Sequence, residues 1–442
     1  MIPTHFRSVV LSTWQAAVAK RARPPDLASD TLARPPVAFD DPYIEAANHA
    51  AQAAQAPSAD QGARLSHPLF TAAKAALDLG LALVDGDPDR VIAAKAAFMR
   101  FGHRDPFWLE CITEFVEHTA VARHAAASYI KWRSLTDAIL PPGTLPERCR
   151  IAVISDWGTG DARAQALIGN VAAQTPDIVI HLGDIYYACT SVEAEAFHAN
   201  IRRGLAPGAP RIFTLCGNHD MYSGGAPYYA LIGRLGQPSS YFCLRNRHWQ
   251  ILAADTGFND FNPFRHKDDM TWVRDRDEGD TYSELDWHKD KLANAAGRRT
   301  ILMTHHPLFS RNSTIAGRAV NDYLQAQFGD HLPDLALWLW GHEHTLAIYE
   351  PFGGLAKGRC IGASAVPVPA EADLTSPSPQ LAGEVVPGLL KDGALALRPQ
   401  STGGLYRLGY ALIDLDGEAG AARYIEFDPS TGEAASRHEE AI

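Results

Sequence analysis

From about residue 150 onward the chain alternates short apolar runs with stretches of helical periodicity. Residues 151–155 read as a buried strand, 162–173 as a helix and 178–182 as the next strand, which together form a βαβ unit. The pattern continues with a helix over 197–203, strands over 211–215 and 249–254, a helix over 283–295, and strands over 300–304 and 335–340. Parallel or mixed sheets packed with helices follow from that order. Residues 405–415 and 422–427, joined across Asp416-Gly417, predict an antiparallel hairpin that completes a sheet.

The first third has a different character. It is rich in Ala and poor in Gly, and Leu69, Ala73, Ala76, Leu77, Leu81 and Val84 recur at helical spacing, so residues 1–145 read as a helical region. Pro141-Pro142-Gly143 breaks that pattern and sets a boundary near residue 146. Residues 146–442 then form one domain, with a motif core over 150–350 and a C-terminal loop and hairpin over 351–428. Two long segments resist assignment: 256–281, dense in Asp, Arg and aromatics, and 367–404, dense in Pro, Ser, Gly and Ala. Segments of that length inside a compact domain are expected to be functional covers or disordered. No internal repeat is visible.

Composition adds exclusions. With 46% hydrophobic and 21% charged residues, and no apolar run near the roughly 18 residues a membrane span needs, the chain reads as water-soluble with no membrane partner. A net charge of −11 argues against a surface that coats nucleic acid and leaves small anionic substrates as the expected partners. Oligomeric state is left open. Cys111, Cys149, Cys189, Cys216, Cys243 and Cys360 lie far apart with no CxxC pair, which predicts buried free thiols in a reducing compartment. A cytoplasmic location is expected; export is the lesser alternative, because Thr13, Trp14 and Gln15 interrupt the apolar stretch Val9-Val10-Leu11. Lys20-Arg21 with Arg23 reads as an exposed helix end or linker.

The chemistry lies at the strand ends. Asp156 follows the first strand, Gly183-Asp184 the second, Gly217-Asn218-His219-Asp220 the third, His305-His306-Pro307 the strand over 300–304, and Gly341-His342-Glu343-His344 the strand over 335–340. Ligands in α/β folds gather at the carboxyl ends of strands. Carboxylate, amide oxygen and imidazole suit hard and borderline metal ions. A pair of such ions neutralises an anionic phosphate ester and lowers the pKa of a bound water.

The ordered series Asp156-x-Gly158, Gly183-Asp184-x-x-Tyr187, Gly217-Asn218-His219-Asp220, His305-x-Pro307 and Gly341-His342-x-His344 resembles the motif set of calcineurin-like metallophosphoesterases. The resemblance spans residues 150–350. It implies a calcineurin-like sandwich of mixed β-sheets flanked by helices, and a hydrolase that attacks a phosphomonoester or phosphodiester in line with a metal-bound hydroxide. Most of that superfamily carries His where Gly158 stands. Purple acid phosphatases also lack it and use a tyrosinate three residues after the second-motif Asp, which is the position of Tyr187; Tyr186 is adjacent and its claim is weaker only by spacing.

Carried over, the resemblance implies that Asp156, Asp184, Tyr187 and His344 hold a first metal, expected to be Fe3+, and that Asp184, Asn218, His305 and His342 hold a second, divalent one (Fe, Mn or Zn), with Asp184 bridging. His219 is the candidate to bind the phosphate or protonate the leaving group, and Asp220 to orient it. His181 reads as a hydrogen-bonded core histidine and His306 as a core or outer-shell residue. Arg265, His266 and Lys267 read as solvated charge or as a contact for an anionic substrate. The alternative to an enzyme is a metal-binding scaffold that keeps the fold without turnover.

Overall fold

The computed structural model describes residues 134–135, 145–158, 160–260, 271–276, 281–312 and 314–442. The helical region expected over 1–145 lies outside them except for residues 134, 135 and 145, and Arg265, His266 and Lys267 lie outside them entirely.

Two six-stranded sheets form the framework. In the first, β1 (Arg148–Ile154), β2 (Ile178–His181) and β3 (Arg211–Thr214) run parallel. On the other side of β1, β10 (Leu408–Asp416), β11 (Ala419–Phe427) and β12 (Ala434–Ala441) extend it antiparallel. The second sheet has the order β4 (Phe242–Arg245), β5 (Trp249–Ala253), β6 (Arg299–Met303), β7 (Leu335–Trp340), β9 (Gly358–Ile361) and β8 (Leu346–Ile348). Its central four strands are parallel and its two edge strands pair antiparallel.

The period-two rule sorts side chains into layers. Ile151 and Val153 of β1 meet Ile301 and Met303 of β6 and Leu337 and Leu339 of β7 in the core between the sheets. Ala152 and Ile154 face the other way, onto α1 (Ala162–Ala173) and α2 (Ser191–Gly204), where Leu167, Ile168 and Phe197 cover them; α3 (Ala226–Leu235) joins this layer through Leu231 and Ile232. Leu302, Trp338 and Trp340 point out from the second sheet toward Trp287 of α4 (Glu284–Ala293) and Phe328 of α5 (Asp322–Phe328). The result is helices, sheet, sheet, helices, as expected from the alternation.

Helix starts are set chemically. Asp161 accepts from the Arg163 and Ala164 amides at the head of α1, and Thr190 with Glu193, then Ser283 with Asp286, form reciprocal caps at α2 and α4. The cap at Thr190 explains why α2 begins six residues before the start expected at 197: its first turn has almost no apolar pattern, and the cap initiates it.

The 367–404 segment departs from its expected role. It is irregular, with short 3-10 turns at Pro379–Leu381 and Leu390–Gly393, but Leu374, Leu390, Leu395 and Leu397 pack into the inter-sheet core. Arg311 donates to the Thr375 and Pro387 carbonyls and ties the segment down. It closes the sandwich. Among the described residues no helix is long and apolar enough to cross a membrane, and Cys149, Cys189, Cys216, Cys243 and Cys360 are buried free thiols.

Candidate metal centre

All five polar clusters come together where the parallel strands of both sheets end. Asp156 follows β1, Asp184 follows β2, and Asn218, His219 and Asp220 follow β3. His305 follows β6, and His342 and His344 follow β7. Asp156, Asp184 and His342 hold φ of 54°, 67° and 67°, a region that non-glycine residues avoid and that costs of order 1–3 kcal/mol each. Such backbone persists where the surroundings enforce it. Gly217 shows how tightly: a Cβ there would stand 2.1 Å from Asp184 Oδ1.

One group of atoms brings oxygen and imidazole donors of the metal-binding type to a single point. Asn218 Oδ1 lies 3.1 Å from His305 Nε2 and 3.0 Å from His342 Nδ1, and His305 Nε2 lies 3.3 Å from both His342 Nδ1 and Asp184 Oδ2. The other ring nitrogen of His305, Nδ1, lies 3.0 Å from the Leu182 carbonyl; donating there turns Nε2 toward the cluster, so it is Nε2 that gives up a proton when a metal binds. The amide of Asn218 is held by the Tyr222 hydroxyl, which accepts from Nδ2 at 2.6 Å. A cation is what such a cluster of oxygen and nitrogen lone pairs fits.

The second group surrounds Asp156. Its Oδ2 accepts from Ser155 Oγ at 2.6 Å and from the His342 amide at 3.0 Å, whereas its buried Oδ1 has no hydrogen bond and lies 3.6 Å from His344 Nε2. The Tyr186 hydroxyl stands 2.6 Å from His344 Nε2 and 3.2 Å from Asp184 Oδ2. The Tyr187 carbonyl oxygen lies 2.5 Å from His219 Nδ1. An orphaned carboxylate oxygen beside an imidazole again fits a metal ion. Asp156, Asp184 and His305 form one group with metal-binding spacing, and His305, His306 and His342 another.

Electrostatics follow the same geometry. Burial pushes the Asp156 carboxyl up, and the neighbouring Asp184 charge adds to it. Burial acts on Asp184 in the same direction, but the His305 and His219 imidazoles overcome it and hold that carboxyl well below its usual range. His305 is opposed by burial yet lifted to about 9 by the Asp184 carboxylate. His181 is a core histidine as expected: its Nδ1 meets Thr214 Oγ1 at 2.9 Å, its Nε2 accepts from the Trp157 amide, and burial lowers it to about 3.

Asp220 was expected to orient His219, and its carboxylate is committed elsewhere. Its oxygens accept from the Gly217, Asp184 and Ile185 amides at 2.7, 2.9 and 2.9 Å, which braces the loop carrying Asp184. His219 is steered instead by the Tyr187 carbonyl at Nδ1, with its Nε2 3.9 Å from Asp184 Oδ2. His306 places Nδ1 on Thr256 Oγ1 at 3.0 Å and Nε2 3.4 Å from Asp260, and its ring packs 4.6 Å from that of His342. Sequence reasoning missed Ser155 and Tyr222; the latter sits four residues after Asn218 across the turn His219–Met221, a spacing that reaches back to it.

Residues 149–346 match the family model of calcineurin-like phosphoesterases. The resemblance to the calcineurin-like superfamily read from the motifs therefore holds over the segment that carries this centre. No curated protein matches the sequence. Among solved structures, the chain is similar to GAP50, described as the anchor in the inner membrane complex of Plasmodium, with 14% identity over 67% of this chain and 88% of that one and a TM-score of 0.43. It is also similar to a dimetal phosphatase from Danio rerio (12% identity, 66% and 98% covered, TM-score 0.40) and to TT1561 of Thermus thermophilus (11%, 66% and 100%, 0.34). Likenesses of this depth say nothing about activity.

Proposed function

We propose that this chain hydrolyses a small phosphate ester, mono- or diester, using two metal ions held at the junction of its sheets. The observation that carries the reading is the convergence of Asn218 Oδ1, His305 Nε2, His342 Nδ1 and Asp184 Oδ2, each 3.0–3.3 Å from a neighbour in the cluster. Asp184, Asn218, His305 and His342 would hold one ion; Asp156, Asp184, His344 and a tyrosine the other, with Asp184 shared. Bound there, the pair would neutralise phosphate charge and acidify a water into a nucleophile near neutral pH.

The remaining work falls to side chains. With Nδ1–H engaged by the Tyr187 carbonyl, His219 turns Nε2 toward the cluster, the atom from which a proton reaches a departing alkoxide. Asp220 keeps the Asp184 loop in place through three amides, so it positions and does not react. The 146–442 unit carries the whole reaction in this reading.

The test supplies Mn2+ or Zn2+ and follows p-nitrophenol release from a phosphate mono-ester and a bis-ester. Asn218→Ala should abolish turnover and lower metal content. His219→Ala should keep its metals and lose roughly 10²–10⁴-fold in kcat on esters with poor alkoxide leaving groups, and much less on p-nitrophenyl esters, which leave without a proton. A metal-loaded wild type that cleaves neither ester class would overturn the proposal in favour of a binding scaffold.

A further inference from the structure

One donor of the first metal remains to be assigned, and the assignment rests on the two-metal reading above. Two adjacent tyrosines compete, and spacing from Asp184 favours Tyr187. The geometry favours the other. The Tyr186 hydroxyl is buried between the two atoms any first-site ion must share, 2.6 Å from His344 Nε2 and 3.2 Å from Asp184 Oδ2, and the unbonded Asp156 Oδ1 lies 3.6 Å from that same His344 nitrogen. The Tyr186 ring is fixed by the His219 ring at 4.4 Å and the His344 ring at 5.6 Å.

Gly158 explains why this residue reaches the centre. A Cβ at 158 would stand 2.8 Å from the Tyr186 amide nitrogen and 3.0 Å from Ile185 Cα, closer than backbone tolerates. Only a residue without a side chain lets the 185–186 backbone lie against residue 158. The missing donor at 158 and the phenol that replaces it are therefore one structural choice. The Tyr187 backbone has a separate task, since its carbonyl oxygen orients His219.

We propose that Tyr186, and not Tyr187, is the phenolate ligand of the first metal ion. On binding, the phenol O–H bond breaks, the oxygen lone pair goes to the metal, and the proton leaves to solvent. The Tyr187 carbonyl orients His219.

The experiment loads ferric iron into wild type, Tyr186→Phe and Tyr187→Phe and reads iron per chain together with the visible phenolate-to-iron charge-transfer band. Wild type and Tyr187→Phe should both show the band, and Tyr186→Phe should lose it while its circular dichroism stays that of wild type. A band that survives in Tyr186→Phe, or vanishes in Tyr187→Phe with iron still bound, overturns the assignment. Should Tyr186→Phe not fold, Tyr187→Phe decides alone. If the protein accepts zinc but not iron, the near-ultraviolet difference signal of phenol ionisation on zinc addition is read in the same three proteins. Metal bound by wild type with neither signal defeats this inference only; a chain that binds no metal at all defeats the two-metal reading as well.

Discussion

Asp255, two residues past the end of β5, illustrates how one buried carboxyl can shape the stability of the molecule. Its Oδ1 accepts from the Gly257 and Phe258 amides at 3.0 and 2.9 Å, and its Oδ2 is buried. Burial, with the charge of Glu284 beside it, pushes the carboxyl up to about 7. The unfolded chain releases that proton near the ordinary value of about 3.9. Between those pH values the folded state binds a proton that the unfolded state does not, so this residue erodes stability as pH rises from about 4 to 7, and the full penalty persists above. Asp255→Asn keeps the acceptor for both amides and removes the ionisation. Melting temperatures measured from pH 4 to 8 should show the variant more stable at pH 8, by roughly 1–3 kcal/mol, and no gain at pH 4. Equal stability at pH 8 would mean that Asp255 is ionised without cost.

At the scale of elements, the 367–404 segment does the work of a core-closing plug. Leu397 is 5% exposed and packs in the inter-sheet core. Beside it, the Arg398 amide and guanidinium both reach the buried Glu426 of β11 at 2.7 Å. Leu397→Ala should therefore destabilise by roughly 2–4 kcal/mol, as buried Leu truncations do, and open the segment to limited proteolysis. A variant with unchanged stability but altered substrate kinetics would instead make the segment an active-site cover. Sequence periodicity could not separate these roles, because its leucines are scattered among Pro, Gly and Ser with no regular spacing. The strands that carry the centre were legible for the opposite reason: buried on both faces, they read as unbroken apolar runs with a polar cluster at the end. β12 was invisible because Ala-Ala-Ser-Arg-His-Glu-Glu-Ala alternates between exposed and half-buried at a sheet edge, and β8 because it is only three residues long. Within the site, the strand-end donors could be named from order and residue type, but the roles of Tyr186, Tyr187 and Asp220 turn on backbone hydrogen bonds and the path of the 185–187 turn, which residue identity does not encode.

Across the whole molecule, the candidate centre joins two sheets that also meet through an apolar core and through the ion pair of Arg359 on β9 with Glu440 on β12. Asp156, Asp184 and Asn218 come from the first sheet, and His305, His342 and His344 from the second. A metal pair shared between them is thus a cross-link of the sandwich, and any ion that binds the folded but not the unfolded chain adds about 2.7 kcal/mol at a hundredfold excess over Kd. Without metal, burial pushes Asp156 up toward its protonated form, and the Asp184 carboxylate lifts His305 to about 9 against its burial, so both groups carry protons at neutral pH that a metal must displace. Binding therefore releases protons, and metal affinity rises with pH until about 9. The rise in melting temperature on adding Zn2+ to chelator-stripped protein should be larger at pH 8 than at pH 6, with proton release visible by calorimetry in buffers of different ionisation enthalpy. His305→Ala removes one of the two protons and one donor from the second sheet, so it should lose most of the stabilisation and flatten its pH dependence. A melting temperature indifferent to Zn2+ in a protein that demonstrably takes it up would mean that the unfolded chain binds the ions as tightly as the folded one, and that no preformed site joins the sheets.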